Sequence, residues 1–219
     1  IGAPLSKTEV MKNLKFDVKK VEANFNLGNG RIIIAGSTHK GEDEIILNSF
    51  CRLKQEFPDI KLLLAPRHLT RLDSVKALVE KTNLKYGLRS QNDSFDNNEI
   101  IILDTLGELS KVYQICNFAF IGGSFNKTGG HNPLEAIVYE KPVISGPSIH
   151  NFRDIYWILT RTNAGKVVKT PQELTNYMQK LLSDNTFYAK SCSDCKDIFA
   201  QQQGAMDFVI SKLNELLVV

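Results

Sequence analysis

The sequence predicts an α/β fold, a Rossmann-like parallel sheet with helices on both faces. Short apolar β-type runs recur at 31–35, 60–65, 99–103, 118–121, 142–145 and 166–168. Each run is continuous rather than alternating, which marks strands buried on both faces. Segments of helical periodicity lie between them, so β-α-β units follow one another through short loops.

Taken in order, residues 1–28 are polar, end in Asn24 to Gly28, and read as an arm or strap before the domain. The first helix, 42–57, places Ile45, Ile46, Phe50, Leu53 and Phe57 on one side. Its first turn carries Glu42, Asp43 and Glu44, where acids suit the helix dipole. The next, 69–81, carries Leu72, Val75, Leu78 and Val79. Helices at 106–116, 133–140 and 152–162 follow. Beyond Thr170 the pattern is all helical, with Pro171 at a helix start and a last segment at 205–217. No repeat or low-complexity tract is present. The reading is one Rossmann-like domain over 29–219, with C-terminal helices from about 171.

An apolar content of 42% and a charged content of 23% over 219 residues are those of a soluble globular chain able to bury a core. A net charge of +3, from scattered basic residues, gives no footprint for nucleic acid. It could assist attraction of an anionic ligand or an anionic membrane surface. No apolar run approaches the roughly 20 residues that span a bilayer, and no signal-peptide pattern is seen. Ile1 in first place reads as a processed chain or a fragment. Cys51 and Cys116 read as core. Cys192 and Cys195 make a single CxxC without the second ligand pair that a zinc site needs, so no metal is expected. The lack of a disulfide framework fits a reducing cytoplasm.

The residues that could carry chemistry share one address, the loops that follow strands. In open parallel sheets, ligands bind at the carboxyl ends of strands where strand order reverses. After 31–35 come Ser37, Thr38 and His39, which either approach a ligand or merely cap the next helix and meet solvent. After 60–65 come Pro66 and Arg67. Arginine is the natural partner of phosphate, although a lone loop arginine is commonly just exposed. After 99–103 come Thr105, Leu106, Gly107 and Glu108. Thr105 and Glu108 form a capping box, and Gly107 in a first helical turn is unexpected unless a ligand lies against the backbone.

The most informative stretch is IGGSFNKTGGHNPLEAIVYEKPVISGP, 121–147. A strand runs into Gly122-Gly123 and Gly129-Gly130, followed by His131 and a helix start. Asn132 suits the N-cap, Pro133 the first helical position and Glu135 the third, with Leu134 between them. Such an arrangement aims backbone N–H groups and the positive end of a helix dipole at an anion. An acid beside a phosphate would be repelled, so Glu135 makes sense if it turns to ribose hydroxyls. Taken together, the four loops describe a nucleotide site. A P-loop, a G-x-G-x-x-G after the first strand, a G-x-S-x-G elbow and an acidic magnesium cluster are all missing from the sequence.

The runs AGSTHKGEDE (35–44), LLLAPRH (62–68), DTLGEL (104–109), FIGGSF (120–125), GGHNPLEA (129–136) and KPVISGP (141–147), with NLKFD (13–17) before them, carry a resemblance. The chain resembles the C-terminal half of bacterial 3-deoxy-D-manno-octulosonic acid (Kdo) transferases over nearly its whole length. That resemblance implies the C-terminal domain of a GT-B glycosyltransferase, which binds the donor CMP-Kdo and requires no metal or other cofactor. It implies CMP contacts at Pro66, Arg67, Leu106, Gly107, Glu108, Asn132, Pro133, Leu134 and Glu135. Ser37, Thr38, His39, Gly123, Gly130 and His131 are added as phosphate or sugar contacts. The family's N-terminal domain, absent here, would bind the lipid A precursor, supply the catalytic base and carry the membrane anchor. The full-length protein would then work at the cytoplasmic face of the bacterial inner membrane, while the fragment would be soluble and inactive alone. Residues 1–28 become the arm after the interdomain crossover. A UDP-sugar transferase of the same fold and a non-enzymatic nucleotide-binding module are the alternatives.

Overall fold

The computed structural model describes residues 18–26 and 30–202. The expected helix at 205–217 and the NLKFD run at 13–17 lie outside the described residues. Seven parallel strands form one sheet in the order β3-β4-β2-β1-β5-β6-β7. They are β1 Arg31–Thr38, β2 Ile60–Pro66, β3 Tyr86–Leu88, β4 Ile100–Ile102, β5 Phe118–Ile121, β6 Val143–Ser145 and β7 Gly165–Val167. The helices are α1 Val18–Phe25, α2 Glu42–Glu56, α3 Leu72–Glu80, α4 Leu109–Val112, α5 Leu134–Ile137, α6 Arg153–Leu159, α7 Pro171–Ser183 and α8 Asn185–Gln202.

Continuous apolar strands are explained by what lies on either side. Ile32 and Ile34 of β1 enter one core with Leu63, Ile101, Ala119 and Ile121, covered by residues of α1, α4, α5, α6 and α8. Ile33 and Ala35 point the other way, joining Leu62, Leu64, Phe118 and Phe120 under α2, α3 and α7. Successive residues of a strand alternate faces, so burial on both sides demands an apolar residue at every position. Each isoleucine of β1 is removed completely from water and contributes about 1.5–3 kcal/mol.

Several expectations are corrected. Strand β3 was not foreseen: it is three residues long and contains Gly87, where a side chain would overlap Asp93. Part of the expected arm is α1, whose Phe25 is buried against Phe95 and lies under the Arg89 guanidinium. The helix expected from Leu106 begins at Leu109, because Gly107 takes a φ of +79° that a helix does not accommodate. Cys51 is not core but lines a groove of about 480 Å³ between α2 and α3. Cys195 is buried, and among the described residues no group of three or more His, Cys, Asp or Glu is placed to hold a metal ion. No described helix is long and apolar enough to cross a membrane.

From β1 the chain steps out through β2 to β3 at the edge, comes back to β4 between β2 and β3, and then crosses to β5 on the other side of β1. The switch point therefore lies between β1 and β5, where two neighbouring loops leave in opposite directions and open a crevice.

Candidate functional site

At the carboxyl edge the loops are tied to one another by groups drawn from the sequence itself. Glu42, 1% exposed, reaches from the start of α2 into the loop after β5. Its carboxylate accepts the N–H groups of Gly123 at 2.7 Å, Ser124 at 2.8 Å and Phe125 at 2.8 Å, and that of His39 at 2.9 Å. The anion-binding concavity that the glycine pair builds is thus filled by a carboxylate of the same chain. The N–H of Gly130 goes to the Gly123 carbonyl at 2.8 Å, and that of His131 to the Gly122 carbonyl at 3.1 Å. Gly123, Gly130 and His131 have their N–H groups engaged within the fold, and the imidazole is what His131 offers.

Asp43, fully buried, makes the matching tie to the loop after β2. It accepts from the Thr38 hydroxyl at 2.6 Å and forms an ion pair with Arg71. Arg71 also donates to the Thr38 carbonyl at 3.2 Å, and the Arg67 N–H donates to the same oxygen at 2.9 Å. Thr38 is therefore a framework residue rather than a ligand contact, and neither it nor Ser37 caps α2, whose N-cap is Gly41. Ser37 stands at φ +55° beside an irregularity in the register of β1. A left-handed serine is uncommon, and here it turns Thr38 inward to Asp43.

Pro66 is buried at the end of β2, and Arg67 and His68 after it are exposed, with His68 edge-on to His39. Leu106 is 82% exposed beside Gly107, where an added Cβ would meet nothing within 4 Å. Glu108 is bonded to the Thr105 hydroxyl and lies 3.4 Å from Arg89, which ties this loop to the end of β3. The expected capping box is therefore corrected: the two residues bond side chain to side chain, and α4 begins after them at Leu109 with no side-chain cap. Asn132 accepts from the Leu134 N–H at 3.0 Å, but the N-cap of the four-residue α5 is Pro133, one position later than expected. Pro133 and Leu134 are buried, and Glu135 is half-buried. Burial first, and the Glu135 carboxylate next, push the hydroxyls of Tyr113 and Tyr139 up. Tyr113 also packs so closely against Gly36 that a side chain there would collide with its hydroxyl.

The loop after β6 closes the other side. Ser124 Oγ accepts from Gly146 N at 2.8 Å, and Asn151 donates to the carbonyls of Thr128 at 2.8 Å and Gly130 at 3.3 Å. His39 and His131 meet over the switch point, 2.8 Å apart between Nε2 atoms. Burial, followed by His39 and Arg67, pushes the His131 imidazole down to about 4. The sequence reading missed Glu42, Asp43 and Arg71 as organisers of the site. A GED run opening a helix signals only favourable dipole chemistry until the neighbouring loops are in place.

A parallel sheet with a switch-point crevice, polar post-strand loops and an exposed arginine is the fold of the C-terminal domains of GT-B glycosyltransferases. No protein-family model matches the chain. It is 33% identical over 228 residues to the 3-deoxy-D-manno-octulosonic acid transferase of Haemophilus influenzae, which covers 99% of this chain and 53% of that one. It is 37% identical over 194 residues to a bifunctional glycosyltransferase/methyltransferase of Fusobacterium nucleatum, over 83% of this chain and 30% of that one. The crystal structure of the C-terminal CMP-Kdo binding domain of WaaA from Acinetobacter baumannii superposes with a TM-score of 0.76 at 24% identity, over 90% of this chain and 97% of that one. The chain spans about half the length of the curated relatives it matches most fully. It is a homologue of the Kdo transferases.

Proposed function

We propose that this chain is the donor-binding domain of a Kdo transferase, taking CMP-Kdo at the β1/β5 switch point. The observation that carries the reading is the convergence of the loops after β1, β2, β5 and β6 in a homologue of those transferases. The loop after β4, with Leu106, Gly107 and Glu108, extends the same edge beside β2.

In this reading Arg67 faces the phosphate, for which its fork and permanent charge suit it. Glu135 accepts from ribose hydroxyls, and Pro66, Leu106 and Gly107 border the base and sugar. An acceptor hydroxyl attacks the anomeric carbon of Kdo with inversion, and CMP leaves as a phosphate monoester. Arg67 then stabilises the charge that builds on the departing phosphate. The base that takes the acceptor proton belongs to the rest of the protein, on the far face of the sugar. The acceptor is a lipid A precursor, and the full-length enzyme works at the cytoplasmic face of the inner membrane. Residues 1–28 follow the crossover between domains, and no metal takes part in the transfer.

Calorimetric titration with CMP, UMP and UDP, with and without EDTA, tests the reading. CMP is expected to bind best and the chelator to have no effect. Preference for UDP would favour a transferase of another donor class, and loss of binding in EDTA would end the metal-free account. Arg67→Ala and Glu135→Ala are each expected to weaken CMP binding at least tenfold, with Tm within a few degrees of wild type. Unchanged affinity in both would remove the site. Leu106→Ser should leave Tm unaltered, because the side chain is 82% exposed, while weakening CMP binding. Unaltered affinity in that variant would take Leu106 out of the site.

A further inference from the structure

All four histidines of the chain, His39, His68, His131 and His150, stand in loops that follow strands, and three of them meet at the switch point. The rings of His39 and His131 are nearly parallel, with 19° between planes and centroids 5.1 Å apart. His68 stands edge-on to His39 with centroids 5.4 Å apart. The loops are also tied by backbone groups and by Glu42, Asp43 and Arg71, so their positions do not rest on the imidazoles alone.

A separation of 2.8 Å between the Nε2 atoms leaves room for one proton between the rings. In the neutral pair one ring donates its Nε2–H to the bare Nε2 of the other, and its own Nδ1 is bare. One more proton at that Nδ1 makes the donor ring an imidazolium and strengthens the same hydrogen bond. A second added proton would set two N–H groups head-on. The pair thus accommodates a single positive charge.

The groups facing it are Arg67 and His68 from the loop after β2, Arg71 from the turn that follows, and Glu42 from α2. Burial is the largest influence lowering His39, with His68, Arg71 and Arg67 acting in the same direction and Glu42 against them. The Glu42 carboxylate already accepts four N–H groups. Burial and the surrounding positive charges favour the neutral pair, and an anion entering beside Arg67 would offset that positive field.

We propose that the His39–His131 pair is an anion subsite that takes up one proton from solvent as an acidic sugar nucleotide enters, setting an imidazolium against a phosphate or carboxylate oxygen. The inference rests on the donor-binding reading above and adds to it the charge state in which the donor is held.

Calorimetry in two buffers of different ionisation enthalpy, at about pH 6 and about pH 8, counts the protons exchanged on binding. The ligands are cytidine, the methyl phosphodiester of CMP, and CMP-N-acetylneuraminic acid, a diester that also carries a sugar carboxylate. Neither diester has a phosphate group that titrates in this range, so uptake belongs to the protein. Uptake approaching one proton near pH 6 is expected with at least one diester and none with cytidine. The log of the association constant should fall by up to one per pH unit through the histidine range. Uptake with both diesters assigns the phosphate, and uptake with the sugar acid alone assigns the carboxylate. His131→Gln and His39→Gln should each abolish it. Binding of the diesters without proton uptake, or uptake unaltered in both variants, overturns the inference while leaving the donor reading intact. If no cytidine ligand binds, the donor reading falls. NMR titration of the His39 and His131 Cε1 protons, in sulfate against chloride at equal ionic strength, then decides the inference. A higher midpoint in sulfate sustains it, and identical midpoints overturn it.

Discussion

Replacing Glu42 by glutamine is expected to lower the melting temperature by roughly 10 °C and to abolish measurable CMP binding. The carboxylate is 1% exposed and accepts four backbone N–H groups across two loops. Glutamine keeps one acceptor oxygen and turns an NH₂ donor toward two of those N–H groups. Hydrogen bonds to a charged acceptor are worth about 1.5–3 kcal/mol each, so losing two costs about 3–6 kcal/mol. In a chain of this size each kcal/mol moves Tm by roughly 2–4 °C. Binding falls with it, because the freed Gly123–Phe125 segment leads on to His131, Asn132 and Glu135. A melt within 2 °C of wild type for Glu42→Gln would show that the carboxylate is not the clamp described above.

The second large effect is expected from Gly122→Ala. An added Cβ would lie 2.3 Å from the Ser37 carbonyl oxygen, 2.6 Å from the Ser37 carbonyl carbon and 2.8 Å from the Thr38 Cα. All three are backbone atoms, so no side chain can swing aside. The Gly122 N–H is itself bonded to the Gly36 carbonyl at 2.8 Å, which prevents the strand ends from parting. Overpacking costs typically about 1–3 kcal/mol, and a clash between two strand ends belongs at or above the top of that range. Gly107→Ala is the control: its φ is +79°, but the space around it is open. A left-handed alanine costs about 1–2 kcal/mol. Thermal melts of the two variants should therefore rank Gly122→Ala well below Gly107→Ala. The reverse order would mean that β1 and β5 are free to separate at the switch point.

The pattern of elements was legible because it rests on local rules. Unbroken runs such as Ile32–Ala35 and Leu62–Ala65 are what a strand needs when both faces meet helices, and burial of alternate residues in opposite cores bears this out. The Pro171 helix start was equally plain, and Thr170 accepts from the Glu173 N–H at 3.1 Å to begin α7. The resemblance to Kdo transferases was also written in contiguous runs, and homology over 99% of the chain agrees with it. Short or glycine-containing elements such as Tyr86–Leu88 were not legible, since three residues carry too little periodicity to stand out.

The sequence by itself determined the fold class and the family likeness, and it pointed to the post-strand loops as the candidate site. Only the tertiary structure decided which groups in those loops remain available to a ligand. Glu42 and Asp43 look alike in the sequence, two acids in a first helical turn. Yet one fills the concavity of the glycine loop after β5, and the other pairs with Arg71 from the turn after β2. The N–H groups of Gly123, Gly130 and His131 are engaged for the same reason, and so is the Thr38 hydroxyl. The physical cause is general: a buried polar group must find a partner, and the partner is chosen by which strands become neighbours. Strand order places β1 between β2 and β5, residues far apart in sequence. Local pattern fixes each loop's composition, and that adjacency fixes its occupant.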